Sequence, residues 1–214
     1  YVRIIDRTKS ERKGACVDKF ECGNLFVVML KTVESVTAGQ PDKVCDQIVD
    51  AIVDEYLRRD VNARLDLHVL GSHGMLMIGG EVESSADFDV GALAKKVYQE
   101  IGYPDDMEVF ANLASPSEEM QRVKSGVMDM VVINGYATNE TRERLPRAVV
   151  FAHTLARRLD DLRKTDPTFS WMKPDGKVQI AMQGDRVEAV TVLVGHHVSI
   201  SERDVRTALL ERVI

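Results

Sequence analysis

The sequence predicts an α+β fold in which mostly antiparallel sheets carry helices on one face. Three observations predict it. Apolar residues recur at helical spacing in three long segments, 42–59, 90–101 and 146–164. Two pairs of short apolar runs, 65–69 with 75–78 and 177–182 with 187–194, flank glycine-containing turns as hairpins do. The second half of the chain then repeats the strand-and-helix alphabet of the first.

Taken in order, residues 1–24 open basic-rich, with Arg3, Arg7, Lys9, Arg12 and Lys13. Residues 1–31 are set apart as an N-terminal extension, 32–137 as a first α+β unit and 138–214 as a second. The run 25–30 has strand length, and 34–41 reads as a loop entering a helix, with Pro41 suited to the first helical turn. Val44, Ile48, Ile52 and Tyr56 then make one apolar helical face. Leu65, Leu67 and Val69 alternate with polar residues before a turn at 71–74 and a return strand that runs into Gly79-Gly80-Glu81. Val90, Leu93, Val97 and Ile101 mark a second helix that Gly102 stops. A strand follows at 108–113, then a polar stretch with Pro116, then the apolar segment 128–137. Val149, Leu155, Leu159 and Leu162 line a third helix, 183–185 turns the second hairpin, and Ser201 with Asp204 caps a last helix through Val205, Leu209 and Val213.

Composition narrows the function. The 214 residues, 44% hydrophobic and 29% charged, suit a soluble globular protein of one large or two small domains. Lys and Arg total 28 against 34 Asp and Glu, so no basic excess points to nucleic acid. No run approaches the roughly 18 apolar residues of a membrane span. The start shows neither a signal-peptide pattern nor an initiator Met, so the sequence is expected to begin inside a longer or processed chain. Of three Cys, Cys16 and Cys22 have five residues between them, unlike a zinc knuckle, and reduced thiols in a cytoplasmic protein are expected.

Three features carry possible chemistry. At Gly39-Gln40-Pro41-Asp42-Lys43 a flexible residue precedes a helix N-terminus, where free N–H groups favour an anion. Lys43 there offers a point charge to a phosphate, and Asp42 offers a carboxylate to a metal that bridges phosphates. An ordinary helix start with a favourable acid explains the same residues. Asp46, Asp50 and Asp54 place like charges four apart, which reads as a solvated face or a weak pointer to an interface. Lys173-Pro174-Asp175-Gly176-Lys177 reads as a turn presenting an acid and two bases. His196 and His197, adjacent on a strand, face opposite sides and cannot clasp a metal together.

These segments together resemble the methionine adenosyltransferase, or S-adenosylmethionine synthetase, family. Residues 34–48 are similar to its ESVTEGHPDKVCDQI signature, 135–141 to its GYATNET segment and 173–177 to its RPDGK turn, over about residues 32–214. The resemblance implies repeats of a mostly antiparallel sheet with helices on one face, without the family's C-terminal part. It implies ATP and L-methionine as substrates, with the methionine sulfur displacing the triphosphate, which is then split to phosphate and pyrophosphate. By the same resemblance Gln40, Lys43 and Lys177 are the catalytic positions, and Asp42 holds Mg2+. Glu34, Glu81, Asp129 and Asp175 then bind substrate. Gln40 stands where the family has His, and an amide carries no positive charge. His68 stands where the family has a Glu associated with the monovalent cation, so potassium activation is not carried over. The GAGDQG loop reads here Gly126-Val127-Met128-Asp129-Met130-Val131, which keeps the acid and loses two glycines. The expected function is therefore a subunit completed by a second family chain, with a non-catalytic regulatory or scaffolding paralogue as the alternative.

Overall fold

The structure, a computed structural model, describes residues 2–6, 30–122 and 132–214. Along the chain the elements are β1 (Val2–Asp6), β2 (Leu30–Val36), α1 (Pro41–Arg59), β3 (Arg64–Ser72), β4 (Met75–Glu83) and α2 (Val90–Ile101). They continue with β5 (Glu108–Ala114), α3 (Glu118–Gln121), α4 (Arg147–Thr165), β6 (Met172–Gln183), β7 (Arg186–His196) and α5 (Glu202–Arg212). They group into two compact units, Tyr1–Thr37 with Tyr136–Ile214, and Ala38–Gly135. No helix among the described residues is long and apolar enough to cross a membrane.

The first unit holds a four-stranded antiparallel sheet in the order β1-β7-β6-β2. Burial alternates residue by residue along β6, so Val178, Ile180 and Met182 point into the core while Asp175, Lys177 and Gln179 stand on the other face. Val190, Val192 and Val194 of β7 share that core with α4 and α5. The buried side of α4 is Ala148, Ala152, Ala156, Leu159 and Leu162. The expected Val149 and Leu155 are only partly covered, because three alanines at fourfold spacing let the helix lie close on the sheet. Val2–Asp6, placed in the extension by the sequence reading, pairs its backbone with β7.

Two expected loops are strand. Residues 34–36, read as the approach to a helix, finish β2 and pair with β6 in register, Glu34 opposite Gln179 and Val36 opposite Lys177. Polar residues sit in and just after this strand, and Ser35 and Thr37 are buried because hydrogen bonds satisfy them. Likewise Lys173–Lys177, read as a turn, lies inside β6. Its Pro174 falls where the β6–β7 register shifts between Met172 and Gly176, a break that tolerates a residue without an N–H.

The second unit has the sheet β3-β4-β5, with β3 antiparallel and β5 parallel to β4. Val44, Ile48, Ile52 and Tyr56 of α1 and Val90, Ala94 and Ile101 of α2 pack with Leu76 and Ile78 of β4. The β3–β4 turn is only two residues, His73 at φ 45° and Gly74 at φ 81°, so Gly71 and Ser72 belong to the strand. Gly102 ends α2 in the left-handed region at φ 116°, as the sequence predicts. The apolar segment 128–137 is described only from Val132, and those residues lie in no helix or strand.

Candidate functional site

Thr37 welds the two conspicuous motif segments of the first unit together. It is fully buried; its N–H donates to the Gly176 carbonyl at 2.9 Å, and its hydroxyl lies 2.7 Å from the Pro174 carbonyl and 3.1 Å from that of Gly176. A β-carbon at Gly176 would come within 3.1 Å of the Thr37 methyl, so glycine suits this close approach. With the strands fixed, cross-strand neighbours on the face away from the helices meet. Lys177 Nζ lies 2.8 Å from Glu34 Oε2, and Gln179 Nε2 donates to Glu34 Oε1 at 2.8 Å. The Lys177 ammonium, and then the Gln179 amide, hold the Glu34 carboxyl below the usual carboxylate range. Glu34 in turn raises the Lys177 ammonium, with a smaller contribution from Asp175.

The second unit carries the start of α1. Gln40 is its N-cap, accepting the Lys43 N–H at 3.1 Å through Oε1, and Pro41 takes the first helical position. Asp42 and Lys43 are exposed in the first turn. The loop leading in is held from two sides. Gln47 Nε2 donates to the Ala38 carbonyl at 2.7 Å and to that of Lys43 at 2.9 Å, while the Tyr103 hydroxyl donates to the Gly39 carbonyl at 2.5 Å.

Glu81 stands on β4 opposite Asp66, and among the described residues it makes no hydrogen bond or ion pair with the α1 start. The glycine before it is obligatory: at φ 142°, a β-carbon on Gly80 would lie 1.9 Å from the Asp66 carbonyl oxygen. Asp129 falls outside the described residues. Asp46, Asp50 and Asp54 are all exposed, and no group of three potential metal ligands occurs among the described residues. His68 lies 3.2 Å from Asp66 on the exposed face of its sheet.

The structure thus brings Glu34, Asp175 and Lys177 together in one unit and Gln40, Asp42 and Lys43 together in the other. Sequence reasoning missed Gln179, although its position two residues after Lys177 on a strand put it on the same face. It assigned no role to Thr37, Gln47 or Tyr103, whose bonds to Gly176, Ala38 and Gly39 span 139, 9 and 64 residues. Chemically, the two groups can hold and orient charged oxygen atoms.

Residues 28–125 match the family model described as S-adenosylmethionine synthetase, N-terminal domain, and residues 124–214 match that of the S-adenosylmethionine synthetase central domain. The S-adenosylmethionine synthase of Sorangium cellulosum (strain So ce56) is 36% identical over 209 aligned residues, covering 86% of this chain and 49% of the relative. The chain spans about half the length of that curated relative.

Proposed function

Because this chain belongs to the S-adenosylmethionine synthetase family, we propose that it is a subunit of a methionine adenosyltransferase, making S-adenosylmethionine from ATP and L-methionine with release of phosphate and pyrophosphate. The observation that carries this reading is the in-register pairing of 34–36 with 177–179, which displays Lys177 beside Glu34 and Asp175 on an open face.

In that reaction the methionine sulfur attacks the ribose 5′ carbon, the triphosphate leaves with the bonding electrons, and one water then hydrolyses it to phosphate and pyrophosphate, so no protein nucleophile is needed. The protein's work is alignment and charge stabilisation. Lys177 exchanges Glu34 for a triphosphate oxygen, and Lys43 adds a second positive charge. Asp175 and Glu34 orient the nucleotide, while Glu81 and Asp129 orient methionine and adenosine. Asp42 is the residue that would hold Mg2+; a single exposed carboxylate suits an ion that arrives with phosphate oxygens and keeps several waters. Magnesium, when bound, neutralises charge on the departing triphosphate. No potassium role is assigned.

These positions supply two lysines against five carboxylates, and Gln40 adds no charge. A departing polyanion needs more cations than that, so a second family chain completes the site in a hetero-oligomer. One observation favours a non-catalytic scaffold instead: Gln40 spends its side-chain oxygen on capping its own helix. The two readings separate in an assay of S-adenosylmethionine formation from ATP, Mg2+ and methionine, run with the chain alone and with the partner co-purified from its native source. No product alone and product with both chains is expected, with Lys177→Ala in this chain abolishing it. Full turnover by the chain alone removes the partner requirement, and turnover indifferent to Lys177 makes this chain a scaffold.

A further inference from the structure

We infer that Tyr103 is a positioning residue, whose hydroxyl fixes the Gly39 peptide and thereby the placement of Gln40, Asp42 and Lys43 at the head of α1. The inference rests on the proposed nucleotide-handling role of that helix start, and it adds a residue that none of the motif segments contains.

The ring of Tyr103 is set by a rigid element. It stacks on Tyr98 of α2 with centroids 4.7 Å apart and planes 9° from parallel. Between the two, Gly102 turns the chain in the left-handed region, and the Tyr103 N–H reaches back to the Tyr98 carbonyl at 3.4 Å. From this fixed ring the hydroxyl donates at 2.5 Å to the carbonyl of Gly39, a buried residue. The bond therefore ties the end of α2 to the loop that starts α1.

Packing is incomplete beside the first turn of α1. A cavity of about 380 Å³ borders both Pro41 and Tyr103, with Val44, Cys45, Met75 and Met107 in its walls. Open space beside Pro41 leaves the head of α1 room to shift, and a directional bond at Gly39 limits that shift. Gln47 holds Ala38 and the first turn of the helix itself, whereas Tyr103 is the side chain that reaches Gly39 from a different element. Without the hydroxyl, the Gly39 carbonyl loses its partner in a part-buried setting and the loop gains alternatives.

Tyr103→Phe keeps the stacked ring and removes only the donor. Amide hydrogen exchange of the native assembly, read on the peptide spanning residues 36–47, is expected to speed up roughly tenfold in this variant, with exchange of β6 and β7 unchanged. In turnover assays the KM for ATP is expected to rise roughly tenfold while the KM for methionine stays fixed; loss of folded protein would instead lower kcat alone. Tyr98→Phe, which leaves the Tyr103 hydroxyl in place, is the control and should match the wild type in both measurements. Unchanged exchange at 36–47 in Tyr103→Phe overturns the inference. Faster exchange there with an unchanged KM for ATP keeps the loop contact and overturns its catalytic importance. A wild-type assembly that makes no S-adenosylmethionine counts against the proposed function, while the exchange comparison still decides whether Tyr103 fixes the loop.

Discussion

Lys177 Nζ lies 2.8 Å from Glu34 Oε2, and the two side chains are 40% and 45% exposed. An ion pair so open to water contributes little to folding, so its value lies in keeping an ammonium oriented on a rigid strand. The sign of the pH effect follows from Glu34, whose folded carboxyl is depressed mainly by Lys177. The pair is intact at neutral pH and is lost as pH falls through that depressed value. If Lys177 holds the triphosphate as proposed, Lys177→Met should weaken Mg2+–ATP binding to the proposed assembly roughly tenfold or more in a calorimetric titration, as expected for a charge-assisted phosphate contact. It should leave the melting temperature nearly unchanged and return the Glu34 titration, followed by NMR, toward the ordinary carboxylate range. A large drop in melting temperature with unchanged binding would make the pair structural.

Elements with a strong period were legible in the sequence, and elements defined by distant partners were not. Helix α1 starts at Pro41, and α2 stops at Gly102, as their caps announce. By contrast, the end of β2 and the start of β6 read as loops, because Ser35, Pro174 and Gly176 are turn-forming residues held in strands, and with Thr37 just beyond β2 they depend on contacts 118 to 139 residues away. The candidate site shows the same division: Lys43 and Asp42 could be read from a helix start, but the Glu34–Lys177–Gln179 cluster needed the register of β2 on β6. Asp60, just past α1, is a similar case with a measurable consequence. Its carboxylate accepts the Ser85 N–H at 2.8 Å, the Ser84 and Ser85 hydroxyls at 2.9 and 3.0 Å, and the Asn62 N–H at 3.0 Å. These donors, the Ser85 N–H foremost, lower its pKa to about 2. A carboxylate depressed in the folded state stabilises above its unfolded pKa of about 3.9 and loses that contribution as pH falls through the folded value. Asp60→Asn should therefore melt below the wild type at pH 7, and the gap should narrow between pH 4 and pH 2. A gap that is constant across that range would show that the charge is irrelevant to the tie between α1 and the strand-to-helix connection.

At the scale of the whole molecule, the face of the β3-β4-β5 sheet opposite its helices carries large apolar side chains. Leu70, Met77 and Phe110 stand in register across its three strands, and they are 65%, 49% and 52% exposed. A contiguous row of large apolar side chains is what an association surface offers and what a free monomer avoids. The proposed second family chain supplies a reason for it. Met77→Lys should be tolerated by the fold, because strand alternation turns Met77 outward while its neighbour Ile78 is buried at 1% exposure. In the complex the same lysine would place a charge in a dry apolar contact, which is costly unless paired. Light scattering and native mass spectrometry should then show the assembly dissociating in Met77→Lys, with S-adenosylmethionine formation lost in parallel. Asp50→Lys, on the exposed acidic row of α1, tests the competing surface: it should leave the assembly intact. If Met77→Lys assembles and turns over like the wild type while Asp50→Lys does not, the partner docks on the acidic helix face, and the apolar sheet face needs another explanation.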